Sequence, residues 1–188
     1  MADFNLEGKV ALINGGSRGI GEAIARVFAA RGATVAVASR KQENVDAVAA
    51  AITAAGGRAF GVACHAGKAE QVDALFARIH AECGRLDILV NNAATNPYFG
   101  PFIMATDEAF DKTFEVNCKG YFLMAQRAAR MMVEQQGGAI INIASIEGLS
   151  PSPMMGIYSM TKAAVIMLTI SSTTRTLDIS SMPWEIEP

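Results

Sequence analysis

Five short apolar runs recur along the chain, each followed by a longer stretch in which apolar and polar residues alternate. The runs are Lys9 to Asn14, Gly32 to Ala38, Arg58 to Ala63, Leu86 to Val90 and Ala139 to Ala144. Apolar residues fill successive positions in them, which is the pattern of strands buried on both faces. Between them, apolar residues return at the ~3.6-residue helical period over Glu22 to Arg31, Gln42 to Ala55 and Ala69 to Cys83. A long amphipathic helix is expected from Asp107 to Gln136, and another starts near Tyr158. Gly56, Gly84 and Gly137 stand at helix ends, where glycine accepts the left-handed turn that stops a helix. Strands alternating with helices mean parallel strands joined by right-handed crossovers. The expected fold class is therefore α/β, a doubly wound parallel sheet in a three-layer α/β/α arrangement. Asn117 falls in the middle of the long helix. Asparagine competes there for backbone hydrogen bonds, so a local distortion, a buried polar contact or an inexpensive surface position is expected.

At 188 residues the chain suits one domain with a substantial core. Its 51% hydrophobic content and mean hydropathy of +0.26 suit a sheet covered on both faces. A formal charge of −2 shows no basic excess, which argues against nucleic acid or an anionic membrane as partner. The first residues lack a basic-then-apolar leader, and no apolar run nears the ~20 residues of a membrane span. A cytoplasmic setting without membrane association is expected. Cys64, Cys83 and Cys118 are odd in number and widely spaced, which fits reduced thiols. With His65 and His80 the only histidines, no zinc-ligand spacing exists and no metal is expected.

Chemistry enters directly after the first strand, at Gly15-Gly16-Ser17-Arg18-Gly19-Ile20-Gly21. Strand, glycine-rich turn and helix in this order form the phosphate end of a Rossmann-type dinucleotide site. The glycines let the backbone approach a pyrophosphate, and the helix N-terminus meets its charge. Glycine turns without a nucleotide also occur, so the turn alone does not decide. The second strand ends in Ser39, Arg40 and Lys41. An NAD site places an acid about 20 residues past the glycines to hold the ribose 2′-hydroxyl. A guanidinium in that slot instead binds a 2′-phosphate through charge-assisted bonds. NADP(H) is therefore expected over NAD(H), an ordinary solvated charge being the alternative for Arg40.

Tyr158 and Lys162 are four residues apart, so on a helix they share one face. An ammonium beside a phenol favours the phenolate, as a proton-transferring tyrosine requires at neutral pH. Ser145 follows the fifth apolar run and falls at the carboxyl end of that strand, where open α/β sheets place their chemistry. Tyr-x-x-x-Lys alone is also a common surface pattern. The order of the features narrows it: the glycine turn, Asn91-Asn92-Ala93, Asn117, and Ser145 thirteen residues before Tyr158. In that order the chain, from about residue 6 to about residue 169, resembles the short-chain dehydrogenase/reductase family.

The resemblance implies hydride transfer between a nicotinamide and a carbonyl or alcohol. Tyr158 would be the general acid/base and Ser145 would hold the substrate oxygen. Lys162 would bind the nicotinamide ribose and favour the phenolate, and Asn117 would hold a water of a proton relay. Cofactor contacts would come from Gly15, Ser17, Arg18, Gly19, Ile20, Gly21, Ser39, Arg40, Lys41, His65, Asn92 and Ala93, with Tyr158 and Lys162. The stretches Ser39 to Gln42, Cys64 to Glu70, Asn92 to Pro97 and Ser150 to Pro153 are similar to the NADPH-dependent carbonyl and retinal reductases of that family. This implies ketones and aldehydes with apolar or aromatic substituents as substrates, and a homo-oligomer formed through the long helix.

Three positions depart from the family pattern. Asn14 stands where threonine is usual, Ala94 where glycine is usual, and His65 where an aspartate commonly contacts adenine. From Ile170 to Pro188 serine and threonine supply seven of 19 residues, while alanine and glycine vanish. Residues 1–169 therefore read as the dinucleotide-binding catalytic domain and 170–188 as an atypical tail. Family members continue with a sixth strand, a Pro-Gly turn, a substrate-binding segment and a seventh strand, none of them legible here. The expected fold is thus truncated after the fifth strand and the following helix, leaving Ala139 to Ala144 as an apolar edge open to pairing. Two functions stay open: an NADP(H)-dependent carbonyl reductase or alcohol dehydrogenase, and a catalytically impaired nucleotide-binding remnant that associates with full-length subunits.

Overall fold

The computed structural model describes residues 4–172. Beyond Ser172 the atypical tail lies outside the described residues. Strands β1 (Val10–Asn14), β2 (Thr34–Ser39), β3 (Arg58–Ala63), β4 (Ile88–Asn91) and β5 (Ala139–Asn142) form one sheet in the order β3-β2-β1-β4-β5. Every neighbouring pair is parallel. The order reverses between β1 and β4, the switch point at which such sheets open a crevice for ligands.

Successive strand residues supply two separate cores, because side chains alternate across a sheet. Val10, Leu12, Ala36 and Ala38 meet Val72, Leu75 and Ile79 of α3 (Ala69–Cys83) and Leu123, Met124 and Ala128 of α5 (Gly120–Glu134). On the opposite face Ala11, Ile13, Val35 and Val37 meet Ala25 and Ala29 of α1 (Gly19–Ala30) and Val45, Val48 and Ile52 of α2 (Gln42–Ala54). Leu12 and Ile13, adjacent in sequence, are both fully buried. The doubly wound three-layer expectation is met. No helix among the described residues is long and apolar enough to cross a membrane.

The expected helix from Asp107 to Gln136 is interrupted. It consists of α4 (Asp107–Phe114), a π-helical stretch Glu115–Lys119 and α5. Asn117 is the reason: its buried side-chain amide bonds a neighbouring loop and helix instead of solvent, and the wider turn lets it do so. Other elements shift only at their ends. Helix α1 begins at Gly19, ahead of the expected Glu22, because the glycine turn folds into its first turn. Strands β2, β4 and β5 are shorter than their apolar runs.

Asparagines end three neighbouring strands, and they pair in register: Asn14 with Asn91, and Asn91 with Asn142. Asn14 Nδ2 donates to Asn91 Oδ1 (3.4 Å), and Asn91 Nδ2 donates to Asn142 Oδ1 (3.0 Å). Asn142 Nδ2 in turn donates to Thr169 Oγ1 (3.0 Å) of α6 (Gly156–Ser172). The ladder satisfies amides that burial would otherwise penalise and ties the switch point to α6.

Candidate active site

The glycine turn lies at the carboxyl end of β1, gripped from both sides. Gly15 N and Gly16 N donate to Ala38 O of β2 (2.8 and 3.2 Å). Asn92 N and Ala93 N donate to Asn14 O (3.0 Å each), and Asn92 Nδ2 donates to Gly15 O (2.9 Å). At Gly15, with φ +82°, an added β-carbon would stand 2.6 Å from Ala93 N. At Gly21 it would overlap Gly15 O. Both positions therefore require glycine, and the close approach leaves the turn bare for a phosphate.

Above the turn opens a cavity of about 630 Å³. Of the residues expected at a cofactor, Gly15, Ser17, Arg18, Ser39, Arg40, Lys41, His65, Asn92 and Ala93 line it. Gly19, Ile20 and Gly21 form the first turn of α1 beside it. Asn14, Asn44, Cys64, Ala66, Ala94, Thr95 and Val116 complete the wall, so no carboxylate lines it. Arg40 has no acidic partner among the described residues. Lys41 Nζ lies 3.6 Å from Glu43 Oε1, which is outside the lining. A glycine cradle and three cationic side chains, with no acid in the lining itself, fit a phosphate-rich dinucleotide.

His65, the departure noted in the loop after β3, lies beside two donors. Its Nδ1 accepts from Gly67 N (3.2 Å), and Lys112 Nζ lies 3.0 Å from Nε2 while donating to Glu115 (2.9 Å). Burial first, and Lys112 next, hold its pKa below the ordinary value. Cys64 beside it is a free thiol, pushed up to about 11 by burial. Among the described residues no cluster of three or more histidine, cysteine or acidic side chains could hold a metal ion.

None of the four expected catalytic residues lines this cavity. Ser145 follows β5, and its Oγ accepts from Glu147 N (3.2 Å). Tyr158 and Lys162 lie on α6, with Lys162 Nζ 5.7 Å from the Tyr158 ring centre. Lys162 is only 2% exposed. Its Nζ donates to Ile143 O (2.7 Å) and lies 3.5 Å from the Tyr121 hydroxyl. That hydroxyl also donates to Ile143 O (3.1 Å), and burial pushes its pKa up. Burial moves Lys162 the other way, from 10.5 to about 8. Asn117 joins the two parts of the site. Its Oδ1 accepts from Thr95 N (2.8 Å), and its Nδ2 donates to Thr95 O (2.9 Å) and Thr161 Oγ1 (3.0 Å). Thr95 lines the cavity, and Thr161 precedes Lys162.

Sequence reasoning missed Thr95, Thr161, Tyr121 and Glu147. The strand-ending asparagines were a readable signal of a polar seam at this edge. Nothing distinguished Tyr121 from an ordinary core aromatic.

A family model described as short chain dehydrogenase matches residues 9–177. A pig (Sus scrofa) protein named dehydrogenase/reductase SDR family member 4 is 44% identical over 164 residues, covering 87% of this chain and 59% of the relative. The chain thus spans about three-fifths of the length of the curated relatives it matches. Among solved structures, a short-chain type dehydrogenase/reductase from Mycobacterium marinum aligns with TM-score 0.85 and 38% identity, over 89% of this chain and 66% of that one. An NAD+-bound xylitol dehydrogenase aligns with TM-score 0.87 and 28% identity, over 89% and 65%.

Proposed function

The chain belongs to the short-chain dehydrogenase family, and we propose that it transfers hydride between NADP(H) and a carbonyl or alcohol, with Tyr158 as general acid/base. The observation that carries this reading is the buried Lys162 ammonium beside the Tyr158 ring, on a helix anchored to the strand that delivers Ser145. The nicotinamide supplies or accepts the hydride when bound. The protein's own residues handle the proton. In reduction Tyr158 gives its phenolic proton to the carbonyl oxygen, and Lys162, largely protonated at neutral pH, stabilises the phenolate left behind. Ser145 already accepts from Glu147 N, so its hydroxyl proton is available for the substrate oxygen, where negative charge develops. Asn117 spends its amide on Thr95 and Thr161, so we assign the relay water to its main chain.

Arg18, Arg40 and Lys41 in an acid-free wall support NADP(H). The apolar side chains Phe99, Phe102 and Ile103, exposed on the loop after β4, suit ketones and aldehydes with apolar or aromatic substituents. A cytoplasmic homo-oligomer completes the reading. The remnant reading is favoured by one observation: β5 is an edge strand among the described residues, with Ile141 42% exposed.

Titration of the purified protein with NADPH and NADH, followed by assays on a panel of aromatic ketones and aldehydes, separates the two. NADPH binding with turnover that Tyr158→Phe lowers by about 10²–10⁴-fold is the expected result. Tight NADPH binding without turnover on any substrate would favour the remnant.

A further inference from the structure

Glu147 lies two residues past Ser145 on a short 3₁₀ turn, Ile146–Gly148, and touches three parts of the catalytic end. Its backbone N–H donates to Ser145 Oγ (3.2 Å). Its carboxylate accepts from Ser152 N (2.9 Å) and Ser152 Oγ (2.6 Å), holding the loop between Ser145 and Tyr158. It also accepts from the hydroxyl of Ser159 (3.0 Å), the buried residue next to Tyr158. Pro151 and Pro153 carry no N–H, so within residues 151–153 the donors all belong to Ser152. Gly148 adds a steric contact. A β-carbon there would stand 2.7 Å from the Lys162 carbonyl carbon and 2.8 Å from its oxygen. The turn therefore rests directly on the backbone of α6 at Lys162. The hydrogen bonds from Ser152 also hold the Glu147 carboxyl below its ordinary pKa, keeping it an acceptor.

We propose that Glu147 is a positioning residue that fixes the separation of Ser145 from Tyr158. The proposal rests on the reading of those two as the reacting pair. Ser145 and Tyr158 come from different elements, a strand end and a helix, joined by a loop with two prolines. Without a bracket that loop could set their distance at several values, and small misplacements are costly to a proton transfer. A carboxylate suits the task because its two oxygens receive three donors arriving from two segments.

The test uses the full chain with Glu147→Ala, Glu147→Gln and Ser159→Ala. Glu147→Ala is expected to lower kcat by about 10- to 100-fold while the NADPH dissociation constant stays within about twofold, since the cavity lies on other strands. Glu147→Gln, which keeps one acceptor oxygen, is expected to recover most of kcat. The Tyr158 resonance in tyrosine-¹³Cζ-labelled protein, assigned with Tyr158→Phe, should move in Glu147→Ala and return in Glu147→Gln. An unchanged kcat and resonance would overturn the proposal, as would an equal loss of kcat and cofactor affinity. Absence of turnover in the wild type would refute the proposed function for this chain, and the resonance would still decide the role of Glu147. Should Glu147→Ala fail to fold, Ser159→Ala removes only the α6 contact and is read by the same two measurements.

Discussion

Replacing Lys162 by methionine should abolish turnover and raise stability at neutral pH. A lysine that ordinarily titrates at 10.5 is held at about 8 by burial. Its charged form therefore costs the folded state roughly 3 kcal/mol, at about 1.4 kcal/mol per pKa unit. Below pH 8 both folded and unfolded chains carry the proton, and the penalty is complete. Between pH 8 and 10.5 the folded chain sheds a proton that the unfolded chain keeps, so wild-type stability rises with pH. Above that range the penalty is gone. Methionine removes the charge but deprives Ile143 O of its 2.7 Å donor. The Tyr121 hydroxyl still donates to that oxygen, which limits the loss to about 1 kcal/mol. The net gain at pH 7 is about 2 kcal/mol, or a rise of about 4–8 °C in Tm for a chain of this size. Thermal unfolding followed by circular dichroism at pH 7 and pH 10 measures it. A Lys162→Met protein less stable than wild type at pH 7 would refute the reasoning. So would a difference in Tm that stays constant between the two pH values.

Three further outcomes are expected. Arg40→Ala should weaken NADPH by about 10- to 100-fold, the worth of a charge-assisted bond, and NADH by little; equal weakening in fluorescence titrations would contradict the assigned 2′-phosphate contact. Gly21→Ala should cost more than about 10-fold in affinity for either cofactor, because its methyl group collides with backbone at Gly15 rather than a movable side chain; calorimetric titration reads it. Glu115, hydrogen-bonded by Lys112 and Lys68, titrates at about 2 instead of 4.5, so its stabilisation is present above pH 4.5 and is lost as pH falls toward 2. Glu115→Gln should therefore unfold more easily than wild type at pH 7, by about 1 kcal/mol for so solvent-screened a cluster, and equally at pH 2; a gap persisting at pH 2 in urea melts would count against it.

The sheet was legible because its strands are buried on both faces. Residues 10–13 and 35–38 are apolar throughout, which leaves only a sheet covered on both faces as their setting. Their ends were less so, since an apolar run continues past the last paired residue, as Ile143 and Ala144 do beyond Asn142. Asn117 showed how far local reasoning reaches. Its poor fit to a helix interior was visible, but the π turn that resolves it depends on Thr95 and Thr161, 22 and 44 residues away. His65 was harder still. Its departure from the acidic pattern was plain, whereas its enclosure by Lys112 and Gly67 comes only from packing the Glu115 turn against the loop after β3.

The two parts of the site rest on unlike supports, and Lys162 explains why that matters. The glycine turn hangs from β1, β2 and β4, the inner strands, through bonds to Ala38 O and Asn14 O. Ser145 and Tyr158 depend on β5 and α6, and β5 has a neighbour on one side only among the described residues. An outermost strand needs something to hold its last turn against the helix that carries the phenol. Asn142 does so through Thr169, and Lys162 through Ile143 O. The ammonium that would stabilise a phenolate is thus also the donor that fastens α6 to the edge of the sheet. Its burial penalises the folded state, yet a methionine in its place would take from α6 its bond to Ile143 O. Global stability and definition of the site are accordingly set in opposition at this one side chain: a protein made more stable there is left with a phenol that has lost its cation and part of its anchor.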